Sequence, residues 1–182
     1  QLPAQNGDTL RATYIDAGVL VVDGNQPASP VLVTSEGTLA GDGVVGDVTG
    51  LSGSIAPGPG TALLTLGNLL LEASCEMTAD LQSGLSDRLV VRGTVTLNNP
   101  RLTLNLAGPF LGQAGSQRVL ISNDGTDAVT GTFDGLPEDA LITVGWVQFH
   151  ISYAGGDGND VSLTYVSPSL SPIQWTLTDG NG

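Results

Sequence analysis

Val147-Gln-Phe-His-Ile-Ser-Tyr153 sets Val147, Phe149, Ile151 and Tyr153 against Gln148, His150 and Ser152. Leu102-Thr-Leu-Asn-Leu106 does the same, with Leu102, Leu104 and Leu106 on one side and Thr103 and Asn105 on the other. A side-chain period of two marks a strand with one buried face. Outward from these stretches the pattern recurs. Short apolar runs lie at 19–22, 31–33, 63–66, 69–71, 88–91, 94–97, 118–121, 141–144 and 161–165, separated by Gly, Asp, Asn and Pro. No long stretch carries a 3.6-residue period. The class is therefore all-β.

Phe, Trp and Tyr make up only 4% of the 182 residues, whereas there are 26 Gly. A sandwich normally anchors its core on large aromatics. Stacked coils suit Val, Leu, Ile and Ala ladders repeating at about 4.8 Å, with Gly and Asn supplying positive φ at the corners. Composition alone leaves solenoid and sandwich about even. It does narrow the function classes. A net charge of −13, with no Lys, argues against nucleic acid and anionic membrane surfaces. The apolar stretch at 63–71 is interrupted by Thr65, Gly67 and Asn68, and falls short of the roughly 20 residues of a spanning helix. The single Cys75 excludes an internal disulfide framework and a Cys-based zinc site.

Several segments resemble bacterial autotransporter-associated β-strand repeats. Asp16-Ala-Gly-Val-Leu-Val-Val-Asp-Gly24 reads like one rung and Ser35-Glu-Gly-Thr-Leu-Ala-Gly-Asp-Gly-Val-Val-Gly46 like the next. Ile55–Leu66 resembles a Pro-Gly corner followed by a strand, and Ser86–Leu97 an Asp-x-Leu-x-Val-x-Gly segment. Asn123–Glu138 and Phe149–Leu163 together are similar to the closing segment of such arrays. The resemblance covers 10–166. It implies a right-handed parallel β-helix of roughly seven or eight rungs, on an exported bacterial surface protein.

The expected organisation is a β-helix over 1–166, a Ser/Pro linker over 167–172 and a C-terminal strand and turn over 173–182. Ile173, Trp175 and Leu177 alternate with polar residues, and this strand is expected to add to a neighbouring subunit. Gly155-Gly-Asp-Gly-Asn-Asp-Val-Ser-Leu163 overlaps a calcium-binding nonapeptide, so Asp157, Asn159 and Asp160 are the candidate metal ligands and calcium the candidate ion. Asp124 and Asp127 are further oxygen donors that another turn could bring in. Gly41-Asp-Gly-Val-Val-Gly46 satisfies a dinucleotide pattern, but Asp47–Ser54 cannot be the helix that pattern needs, so corner glycines are expected. His150, on a polar strand face, has no Gly-x-Ser-x-Gly elbow to work with. Glu72 with Glu76 and Glu138 with Asp139 are the available carboxylate pairs.

These readings favour a non-enzymatic, extracellular or surface-displayed structural protein. Its expected partner is itself, in a head-to-tail homopolymer forming a fibre or layer, with no nucleic acid, no membrane insertion and no cofactor other than calcium. An adhesin stalk with a surface or glycan ligand is the alternative. A polysaccharide-cleaving β-helix is the third reading.

Overall fold

The computed structural model describes residues 12–166 except 59, 109 and 111. The expected linker and the strand bearing Ile173, Trp175 and Leu177 lie outside the described residues. Among the described residues there is no helix. The strands are β1 (Thr13–Val21), β2 (Asn25–Gln26), β3 (Val31–Ala40), β4 (Val44–Val45), β5 (Val48–Ile55), β6 (Leu63–Leu66), β7 (Leu69–Leu81), β8 (Arg88–Val91), β9 (Val95–Asn98), β10 (Arg101–Leu106), β11 (Gln117–Asn123), β12 (Thr130–Thr132), β13 (Leu141–Val144), β14 (Val147–Gly155) and β15 (Asp160–Val166).

Strands β1, β3, β5, β7, β9 and β12 stack in parallel in that order, and β2, β4, β6, β8 and β11 form a second parallel stack. The chain thus winds as a β-solenoid of about four turns, the parallel β-helix expected from the sequence. The turns number fewer than seven or eight because the coils are long and the last strands do not continue the winding. Thr13 pairs with Val31, Val31 with Val48, Val48 with Leu69 and Leu69 with Val95, so the four turns take 18, 17, 21 and 26 residues, and 34 more separate Thr96 from its partner Thr130 on the short β12 that ends the stack.

The long strands turn a corner midway. Their pairing slips between Ile15 and Ala17, Val33 and Thr38, and Gly50 and Ser52. Left-handed residues sit within or just after those slips: Ser35 (φ 51°) within one, and Gly18 (φ 74°) and Gly53 (φ 73°) just after the others. In the next coils the corner becomes a split. The start of β7 pairs with β9, its end with β10, and Asn99 (φ 56°) separates those two partners. Each coil therefore presents three strand faces.

Inside, side chains stack in files. Leu20, Leu39, Ile55, Met77 and Leu102 are successive partners on the second face. Val31, Val48, Leu69 and Val95 form a file on the first, and Leu64, Leu89 and Ile121 one on the third. Burial contributes about 0.8 kcal/mol for each methylene removed from water, and the file spacing lets branched aliphatics meet without gaps. Gly50 interrupts one file, and Cys75 fills its place: a Cβ on Gly50 would stand 2.5 Å from the Cys75 sulfur. Cys75 is buried, as a small packing residue should be, and burial pushes its thiol up to about 11.

The last three strands reverse direction. β15 pairs antiparallel with β11, β14 with β15, and β13 with β14. They extend the second stack beyond the coils and bring β13 against β10. Phe110 meets Phe149 edge-on at 5.3 Å, and Tyr165 closes the cluster at 5.3 and 6.0 Å from those rings. Phe133, Phe149, Ile151, Val161 and Leu163 are fully buried. The C-terminal end of the coils is closed by the chain itself.

Candidate functional site

The turn between β14 and β15 is the Gly-rich junction at Gly155–Asn159, and it folds against the loop at 123–127. Asn159 Nδ2 lies 3.2, 3.4 and 3.1 Å from the carbonyl oxygens of Asp124, Gly125 and Asp127. Asn123 Nδ2 donates to the same Asp127 carbonyl at 2.7 Å, and the Asn123 N–H donates to Asp160 Oδ1 at 2.9 Å. Burial raises the Asp160 carboxyl above its ordinary range. The Asn123 bond opposes that rise, the Asp157 charge adds to it and Arg88 opposes it. Asp124, Asp127 and Asp157 stay exposed. The turn and the loop do come together, but through backbone carbonyls and two side-chain amides. Among the described residues no three His, Cys, Asp or Glu side chains converge to hold a metal ion.

The remaining candidates are spread along the coils. Gly41 and Gly43 pack on the preceding corner, where a Cβ on Gly41 would stand 2.1 Å from the Val22 carbonyl oxygen. Strand β5 follows them, so this segment is the corner that the sequence suggested. Glu72 accepts from Asn98 Nδ2 at 3.1 Å and Glu76 from the Thr103 hydroxyl, so each ties its strand to the next coil. Glu138 accepts the Tyr153 N–H at 2.7 Å. Asp139 lies beside His150, whose Nδ1 is 2.9 Å from the Asp139 carbonyl oxygen and 3.2 Å from its carboxylate.

Sequence reasoning missed two polar devices. Asp47 Oδ1 accepts from the N–H and Nδ2 of Asn68 at 2.8 and 3.0 Å, and Asn68 Oδ1 accepts from the N–H and hydroxyl of Thr94 at 2.9 and 3.0 Å. This ladder runs up the corner just before the first face. Its signal was there: each residue immediately precedes an apolar run. Unequal coil lengths hid the alignment. The second device is Asp87, buried, which accepts the N–H groups of Ala62 and Asp80 at 2.7 and 2.9 Å. Burial raises its carboxyl above the ordinary range, and the two N–H bonds oppose that rise.

No family model matches the sequence. The chain is 32% identical over 164 residues to a protein of Serratia marcescens named extracellular serine protease, across 83% of this chain and 14% of that relative. The chain thus spans about one seventh of the curated relative it matches. The expectation of a non-enzymatic protein is corrected here, because the relative is named as an enzyme. The expectation rests on the lack of a catalytic motif in this chain, and the matched stretch is about a seventh of that relative. Stacked parallel coils and this similarity together fit a surface β-helix protein.

Proposed function

We propose that this chain is the β-solenoid part of a secreted bacterial serine protease, a stiff shaft that holds the peptidase part of a longer polypeptide. The observation that carries this reading is the coverage: similarity runs through 83% of the solenoid chain but only 14% of the protease. A parallel solenoid transmits position well, because every coil is hydrogen-bonded to its neighbours over its length. The acidic outer faces keep the shaft from sticking to nucleic acid and anionic lipid.

Head-to-tail assembly receives less support. It needs two open ends, and the C-terminal end is closed by β13–β15. The test uses the full-length gene product. Excising residues 12–166 should abolish or sharply reduce casein hydrolysis in the culture medium, with a fluorophosphonate probe reporting the remaining active enzyme. Unchanged secretion and unchanged labelling after the excision overturn the reading.

A further inference from the structure

The strongest unexplained feature is a depression of about 360 Å³ at the corner where the second face passes to the third. It lies between the excursions of three successive coils. Arg88 and Arg118 line it, with Ser86 and Gln117 as further polar groups and Leu63 and Leu85 as exposed apolar walls. In a chain of net charge −13, two cations in one hollow ought to find carboxylates. Among the described residues no arginine makes an ion pair, although Arg88 lies near enough to Asp160 to feel its charge. Arg118 is held with its guanidinium 5.8 Å over the Phe110 ring, and one terminal nitrogen donates to the Gln117 carbonyl at 2.7 Å. Its Nε is buried with no acceptor. The buried Nε is out of an anion's reach, so an oxyanion in the hollow would be met by the terminal N–H groups, and a charge-assisted bond to a guanidinium is among the stronger hydrogen bonds.

We infer that this hollow binds a small organic carboxylate, with the anion between Arg88 and Arg118 and an apolar body against Leu63 and Leu85. The size suits a ligand at the small end of ordinary sites. The apolar walls set this ligand class apart from inorganic anions, which would gain nothing from Leu63 and Leu85.

The experiment is a titration of the full chain with hexanoate, hexanamide and inorganic phosphate, followed by ¹H–¹⁵N spectra. Hexanoate should shift the amides of Ser86, Arg88 and Val119 and the Arg118 Nε–H resonance, saturably and more weakly as salt rises. Hexanamide and phosphate should bind about tenfold more weakly or less. Arg88→Gln and, separately, Arg118→Gln should each weaken hexanoate by about tenfold, whereas Arg101→Gln, on β10 away from the hollow, should not. Arg88→Gln keeps the test valid if loss of the Phe110 contact unfolds the other variant. Equal binding of phosphate and hexanoate, binding of hexanamide as tight as that of hexanoate, or no saturable shift with hexanoate overturns the inference.

Discussion

The first coils and the C-terminal cap solve the same problem with different materials. In the coils, strands are parallel, the core is files of Val, Leu, Ile and Met, and each file repeats one residue class from layer to layer. In the cap, strands are antiparallel and five of the eight aromatics — Phe110, Phe133, Phe149, Tyr153 and Tyr165 — are buried in it or against it. A file needs a layer on either side to finish it. An edge-on aromatic cluster fills a closed volume by itself. The cap therefore terminates the stack. At the other end, β1 pairs with β3 alone among the described strands, and Tyr14, Val19 and Val21 are exposed.

The largest effect should come from the cap. Phe149→Ala empties the centre of the aromatic cluster and should cost about 3–5 kcal/mol, read by denaturant unfolding. Hydrogen exchange should then quicken in β11, β14 and β15 while β3 and β5 stay protected, because coils couple mainly to neighbours. Uniform loss of protection would erase the distinction between the two regions. Next comes Gly37→Ala, in the coils. A Cβ there would stand 2.1 Å from the Ile15 carbonyl oxygen, so β1 must move; overpacking of this kind costs about 1–3 kcal/mol. Exchange should rise in β1 and leave the cap unchanged.

A smaller loss is expected from Asn68→Ala, which removes both steps of the Asp47–Asn68–Thr94 ladder. It is solvent-exposed, so about 1 kcal/mol is expected in a thermal or urea melt. The mildest effect is pH dependence. Asp87, between the coils, and Asp160, at the cap, both have folded-state carboxyls raised above 3.8, chiefly by burial. The folded state then holds these protons more tightly than the unfolded chain does. Their contribution is full below 3.8 and is lost as pH rises through the folded values. Asp87→Asn should flatten part of that slope in melts taken across mildly acidic pH. An unchanged slope would show that Asp87 does not carry it.

Much of the coil region was legible because period-two alternation survives in either pairing direction. The runs at 63–66, 88–91 and 102–106 coincide with β6, β8 and β10. Strand β5 was not legible: Val48-Thr-Gly-Leu-Ser-Gly-Ser-Ile55 puts Gly50 where an inward aliphatic is expected, and the missing bulk comes from Cys75 in the next coil. The reversal at β13–β15 was hidden for the opposite reason, since Val147–Tyr153 alternates identically in a parallel or an antiparallel partner. Of the candidate ligands, the approach of 157–160 to 123–127 depends on two loops 30-odd residues apart, as the Asn123–Asp160 and Asn159–Asp127 contacts show. Arginines facing one hollow from β8 and β11 leave no local pattern at all.

Of the connections between faces, those at one corner lengthen most along the chain. Between the second and third faces the connections are 22–24, 41–43, 56–62, 82–87 and 107–116, while those leading back to the first face stay short until 124–129. One ridge of the prism is thus a seam that tolerates added length, and the other two are clamped by their ladders and left-handed corners. Foreign peptides spliced into the tips of those connections, clear of Asp87 and its partners, would hang as a row of tassels, spaced by the interstrand repeat, with the strand ladders of the three faces left as they are.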